Sequence, residues 1–364
     1  VSRGGPRRPK DRGAGKAPDA RATGALAVAR DLVVPGVLLV LGAALVVLLL
    51  AGCGGVTGSD AADAGGSDRG GGGTGTHRAV PSAPIPGSTP KAPADFVGPV
   101  RTVAVNGVEL GFRQFGSGPP LLMVMGRDGT MSMWGYRLPR ALADAGFRVT
   151  MFDNRGTGRS SDDTSRPLTM QVMADDTVAL ADALGLERPT VVGWSMGGEI
   201  ALTAAVRHPD RFGAIVTSGS DAGGRHYVEG DPAYEAVLSD PDASPADMLR
   251  LLFPDPASPA VADFVTGLGL YPDPELSEQI QDRQTAMYDA WFHDESTWDG
   301  LGRIRSRVVL TNGSRDVVNV PANAGLIAAR IPGARAEIFD GLGHGMLFEA
   351  VDRFVALVKQ AASS

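Results

Sequence analysis

Hydrophobic positions along this chain fall into three regimes. From Leu32 to Leu50 they are almost continuous, 19 residues interrupted only by Pro35, Gly36 and Gly42. From 54 to about 96 they nearly vanish into Gly, Ser, Thr, Ala, Asp and Pro, including the run Gly70 to Gly73. That composition cannot bury a core and predicts a flexible tether over 53–96. From about Val97 onward short apolar runs alternate with amphipathic stretches, which predicts a folded domain over 97–364.

Within the domain, Val100 to Val105 and Val108 to Gln114 alternate around Asn106-Gly107, a hairpin signature. Pro120 to Met125 is a continuous apolar run suited to a central strand. Leu138 to Ala145 reads as an amphipathic helix and Phe147 to Phe152 as the next strand. A second helix runs from Thr169 through Leu184. Thr190 to Trp194 is a strand, a helix opens at Met196, and Gly213 to Ser218 is a further strand. The alternation breaks between about Asp221 and Ser296. There Ser244-Pro245 and Ser258-Pro259 read as caps with first-turn prolines, and a longer helix runs from Glu275 to about Phe292. Strand and helix then alternate again: Arg307 to Thr311, Ala322 to Arg330, Ala336 to Phe339, and Leu347 to about Lys359. Strands separated by helices predict a mostly parallel sheet with helices on both faces and an insertion at about 221–296. The insertion carries Leu251, Leu252, Phe253, Phe264, Tyr271, Met287, Tyr288, Trp291 and Phe292, most of which must pack it onto the body. A few are expected to line an apolar pocket over the site.

Charge divides the chain the same way. The total is −7. Residues 1–52 carry eight Lys and Arg against three Asp and Glu, so the remainder carries 26 against 38. An acidic body argues against nucleic acid as a partner. A basic segment ahead of an apolar run is what a targeting signal requires.

Chemistry concentrates at Gly193-Trp-Ser-Met-Gly197. A chain passing from strand to helix within one residue forces that residue into a strained conformation. Glycines two before and two after Ser195 remove the side chains that would clash. With 49 Gly and 22 Ser in 364 residues, the bare pattern is expected roughly 0.4 times by composition. Its placement between a strand and a helix is therefore what gives it meaning. A serine hydroxyl needs a base. Of the five histidines, His77 lies in the tether, His208 ends the helix after the serine, and His226 and His293 lie in the insertion. His344 alone sits in a Gly-flanked loop after a late strand. Asp316, at the end of the Val308 strand, is the candidate carboxylate behind it, with Asp221 after the sixth strand as the rival. Of the two N–H donors an oxyanion needs, Met196 follows from the turn, and Arg127, after Met125-Gly126, is the second by position. The Arg127 side chain is expected to face solvent, with an anionic group as its alternative partner. No metal-ligand cluster, nucleotide-binding loop or cofactor is read from the residues.

Four motifs in order resemble the α/β-hydrolase superfamily over about residues 100–360. They are Asp153-x-Arg-Gly-x-Gly-x-Ser160, Gly193-x-Ser-x-Gly197, Gly313-x-x-Asp316 and Gly341-x-Gly-His344. The resemblance implies an α/β fold with an eight-stranded, mostly parallel sheet and a helical cap after the sixth strand. It also implies a serine nucleophile and an acyl-enzyme route, with a small to medium, largely apolar ester as substrate. The chain departs from the superfamily's common His-Gly pair by having Met125-Gly126. The same residues leave open a lactonase, a proline-iminopeptidase-like or C–C hydrolase, a perhydrolase, and a non-catalytic surface binding protein.

Leu50-Ala-Gly-Cys53 resembles the lipobox of bacterial lipoproteins, and Cys53 is the single cysteine. That resemblance implies a lipoprotein signal peptide over 1–52, lipidation at Cys53 and a membrane-anchored, extracytoplasmic body. An uncleaved membrane anchor is the alternative.

Overall fold

The computed structural model describes Val1 and residues 98–363, apart from 240–243, 269–273 and 275. The expected signal-peptide segment, the expected lipidation site at Cys53, the whole tether over 53–96 and Tyr271 lie outside the described residues. Among the described residues no helix is long and apolar enough to cross a membrane.

Eight strands form one sheet: β1 (Arg101–Val105), β2 (Val108–Gly116), β3 (Pro120–Val124), β4 (Arg148–Phe152), β5 (Thr190–Trp194), β6 (Ala214–Ser218), β7 (Arg307–Gly313) and β8 (Arg335–Phe339). Their order across the sheet is β1-β2-β4-β3-β5-β6-β7-β8. The β1–β2 and β2–β4 pairs are antiparallel and all others parallel. The β1–β2 connection turns on Asn106 and Gly107, both at positive φ (45° and 82°), as a two-residue hairpin between right-twisted strands requires.

The central strands are buried on both faces, so their apolar residues split by parity between two cores. Leu122, Val124, Val191, Ile215, Val308 and Leu310 face one layer, and Leu121, Met123, Val192, Val216 and Val309 the other. Burying each such side chain contributes about 1.5–3 kcal/mol. The flanking helices are α1 (Arg137–Asp144), α2 (Met170–Ala183), α3 (Met196–Arg207), α4 (Pro232–Ser239), α5 (Pro245–Leu252), α6 (Pro259–Leu268), α7 (Glu278–Trp291), α8 (Ser296–Gly300), α9 (Ala322–Ala328), α10 (Met346–Glu349) and α11 (Val351–Ser363).

The helices α4 to α8 lie between β6 and β7 and form the cap. At α5, Ser244 and Asp247 close a reciprocal capping box ahead of Pro245. Most element boundaries differ from the sequence expectation by one or two residues, and three differences stand out in the helices. The long cap helix starts at Glu278, where Ser277 caps it by accepting from the Ile280 N–H. Helix α9 ends at Ala328, two residues before Arg330. The C-terminal helix is two helices, broken at Ala350 (φ −108°, ψ 44°).

Candidate active site

Five loops converge beyond the carboxyl edge of the parallel strands, the position where open α/β sheets place their ligands. They follow β3, β5, β6, β7 and β8.

Ser195 links β5 to α3 with φ 53° and ψ −124°, a conformation that costs energy for a residue with a Cβ. The flanking glycines make it fit. A Cβ on Gly197 would stand 1.9 Å from the Val124 carbonyl oxygen, and one on Gly193 2.4 Å from the Gly197 oxygen. The Ser195 N–H donates to the Ser218 carbonyl at 2.8 Å, pinning the turn to β6. Met196 opens α3, so its N–H belongs to the first turn, which has no carbonyl partner within the helix.

His344 Nδ1 and Asp316 Oδ2 are 2.8 Å apart, and both side chains are buried. The other carboxylate oxygen, Oδ1, accepts from the Val318 and Asn319 N–H groups, each at 2.9 Å. With one oxygen fixed by two backbone donors, the other is aimed at the imidazole. The pair and the serine share the end of β6: Gly219 follows Ser218, and a Cβ there would meet His344 Nδ1 at 2.7 Å and Asp316 Oδ2 at 3.0 Å. A Cβ on Gly126 would approach the Ser195 Oγ at 3.9 Å, so the loop after β3 runs beside the hydroxyl. Overhead, the Phe253 ring of the cap packs on Gly345, and Pro254 on Gly343. Phe253, Phe264 and Phe348 continue that apolar cover down to Trp194. Met287 and Trp291 instead join the opposite core.

One alternative falls away and one expectation needs correction. Asp221 does not serve His344. Its Oδ1 accepts from the Gly223 N–H at 2.7 Å and the Trp291 indole at 3.1 Å, and its Oδ2 accepts from Asn319 Nδ2 at 3.2 Å. The Arg127 side chain does not project into solvent. Its Nη2 donates to Thr285 Oγ1 at 2.6 Å, its Nε lies 3.3 Å from Asp128 Oδ2, and its guanidinium stands 5.3 Å from the Tyr288 ring centre. The physical reason is the cap, which roofs the loop and supplies these partners. Position in sequence alone does not reveal that roof.

Beneath the site lies a group that motif reading missed. Glu199 is buried and shares a hydrogen bond with the Asp221 side chain. Its Oε2 accepts from the Tyr288 hydroxyl at 2.7 Å. Burial, reinforced by the neighbouring Asp221 charge, pushes the Glu199 carboxyl well above its usual range. Burial also raises Asp221, partly offset by its hydrogen bonds from Gly223, Trp291, Asn319 and Glu199. The available signal was one acid on α3, whose residues 196–206 are otherwise apolar, glycine or threonine and are all buried.

The motif at 153–160 is a brace. Asp153 accepts from the Met131 and Arg159 N–H groups at 2.7 and 2.8 Å. Arg155 grips Asp176 through two 2.7 Å bonds, both side chains buried. Asn154 Nδ2 donates to the Met125 carbonyl at 2.9 Å, holding the loop after β3 from the sheet side. Among the described residues no group of three or more His, Cys, Asp or Glu is placed to hold a metal ion.

Residues 119–351 match the family model for the alpha/beta hydrolase fold, and the chain belongs to that family. It is similar to RutD of Caulobacter sp. (strain K31), named as a candidate carbamate hydrolase, at 29% identity over 246 residues, 65% of this chain and 88% of the relative. It is also similar to the 2-hydroxy-6-oxo-6-phenylhexa-2,4-dienoate hydrolase of Comamonas testosteroni, at 28% identity over 264 residues, 67% and 87% of the two chains. Among solved structures, an alpha/beta hydrolase fold protein from Chitinophaga pinensis superposes with a TM-score of 0.62 at 22% identity, covering 73% of this chain and 98% of that one. The protein is a hydrolase of this fold.

Proposed function

We propose that the protein is a serine hydrolase that cleaves a small to medium, largely apolar carboxylic ester through an acyl-enzyme. The observation that carries the reading is the strained Ser195 at a strand–helix turn, sharing the end of β6 with a buried His344–Asp316 pair. In this mechanism His344 Nε2 takes the hydroxyl proton as Ser195 Oγ attacks the carbonyl carbon. Asp316 holds the Nδ1–H tautomer and stabilises the imidazolium. The oxyanion is held by the Met196 and Arg127 N–H groups. Collapse expels the alcohol, which receives the proton from His344. Water, activated by the same imidazole, then releases the acid. The phenylalanine cover favours apolar substituents near the reacting carbon.

The names of the relatives favour a second reading on the same residues, hydrolysis of a carbamate or of a C–C bond next to a carbonyl. Parallel turnover of p-nitrophenyl esters of rising chain length, an aryl carbamate and a vinylogous diketone acid separates the two. Ester hydrolysis that Ser195→Ala abolishes supports the first. Cleavage of the carbamate or the diketone acid alone supports the second.

We further propose that Cys53 carries a lipid that tethers the domain to the outer face of a membrane, with 54–96 as the spacer. Metabolic labelling with a fatty-acid analogue tests this: label that persists in Cys53→Ala contradicts it.

A further inference from the structure

The loop after β7 carries Asp316, and one residue of that loop is held on every side. Asn319 is buried, and each of its polar groups has a partner. Its N–H donates to Asp316 Oδ1 at 2.9 Å. Its carbonyl accepts from Asn312 Nδ2, on β7, at 2.7 Å. Its side-chain Nδ2 donates to Asp221 Oδ2 at 3.2 Å, and its Oδ1 accepts from Asn323 Nδ2, on α9, at 3.1 Å. Loop residues usually leave such groups to solvent. Here three separate elements take them up.

The anchors are themselves fixed. Asp221 accepts from the Gly223 N–H and from the Trp291 indole of the cap. Asn323 exchanges two bonds with the Val228 backbone, at 2.7 and 2.9 Å. The side-chain bonds grip Asn319 at its Cβ end and the Asn312 bond grips its carbonyl, so its Cα is placed from two directions. The backbone nitrogen is bonded to that Cα, so its place follows, and its hydrogen lies on Asp316 Oδ1. The last torsion of an aspartate side chain is soft, so a carboxylate keeps one rotation only where its oxygens are separately bound. We propose that Asn319 is a positioning residue for Asp316: it brings its own N–H to Oδ1 and so leaves Oδ2 turned to His344 Nδ1. In this role it works through Asp316 alone. The inference rests on the serine-hydrolase reading above.

The test uses the full chain, p-nitrophenyl butyrate as substrate, and a fluorophosphonate whose labelling of Ser195 stays measurable when turnover is slow. Asn319→Leu keeps the side chain's shape and removes its bonds to Asp221 and Asn323. The expected result is a fall in kcat of about tenfold or more, KM within about threefold, and labelling slowed in the same ratio as kcat. In an Asp316→Asn background the same substitution is expected to slow labelling by about twofold or less, because the contact it serves is already lost. A residue that only supports the fold would cost the same in both backgrounds. Unchanged kcat in Asn319→Leu, or an equal loss in both backgrounds, overturns the inference. Should Asn319→Leu not fold, Asn312→Leu carries the test through the carbonyl anchor. A fall in kcat of about threefold or more is then expected, again absent from the Asp316→Asn background, and unchanged kcat overturns the inference. A wild-type protein with neither turnover nor labelling sinks the hydrolase reading itself. Turnover with an indifferent Asn319→Leu sinks only the positioning role.

Discussion

The Trp194 indole N–H donates to the His344 carbonyl at 3.1 Å. The residue before the candidate nucleophile thus holds the backbone of the candidate base, 150 positions away. The rings stand 5.8 Å apart, and Phe348 meets Trp194 edge-on at 5.0 Å. Trp194→Phe keeps an aromatic there but leaves a buried carbonyl without this donor, at a cost of about 1–3 kcal/mol. The expected outcome is a lower denaturant midpoint and a fall in kcat larger than any change in KM. Wild-type values for both would show that the bond does not position the histidine.

Asp316 reaches His344 through a single 2.8 Å contact while two backbone donors hold its other oxygen. Asp316→Asn preserves the shape but offers the imidazole the wrong hydrogen-bonding partner. A loss of about 10³- to 10⁴-fold in kcat is expected, with KM little changed. Asp221→Asn is expected to cost far less in kcat, since Asp221 faces Gly223, Trp291 and Asn319. Steady-state kinetics on the two variants check the ranking.

Glu199 makes the protein's stability depend on pH in a defined direction. Its carboxyl titrates well above its usual value of about 4.5 because burial and the Asp221 charge disfavour ionisation. The folded state therefore holds a proton that the unfolded chain releases at lower pH. The stabilisation from neutral Glu199 is fully present below pH of about 4.5 and is lost as pH rises through the folded-state value. Glu199→Gln imitates the protonated acid, with an oxygen to accept from Tyr288 and an amide to donate to Asp221. Its melting temperature is expected to gain on wild type progressively from pH 5 to pH 9. Melting curves that stay parallel across that range would contradict a protonated Glu199.

The turn at Ser195 tolerates no added atom on its inner side. Gly197→Ala places a methyl group 1.9 Å from the Val124 carbonyl oxygen, and the obstacle is central-strand backbone. A cost of about 3 kcal/mol or more is expected, read as loss of soluble protein or a large drop in denaturant midpoint. Gly325→Ala, in a helix where a Cβ meets nothing within 4 Å, is the matching control, expected to leave stability unchanged or slightly raised.

What the sequence carried and what it hid divide along physical lines. The hairpin at Asn106-Gly107, the buried central strands and the Ser195 turn are written in local signals: positive-φ residues, parity of apolar positions and small residues beside a tight bend. Asp316 was legible as a candidate because it follows the carboxyl end of the Val308 strand, and His344 because it sits between glycines in the loop after a late strand. Glu199 and Tyr288 were not, because their roles depend on partners 22 to 89 positions away that leave no periodic trace. Arg127 was misjudged for the same reason: its partners belong to a cap helix whose docking only the folded chain specifies. Asp221 was a fair rival by position, and its donors, which turn it from His344, come from β6's own loop, the cap and the loop after β7.

The central claim is that Ser195 is a nucleophile activated by His344. Reaction of the full chain with a fluorophosphonate, followed by intact mass and peptide mapping, tests it most directly. The account predicts one adduct, located on Ser195, absent in Ser195→Ala and formed about 100-fold or more slowly in His344→Ala. A wild-type protein left unmodified, or modified at another residue, would contradict it.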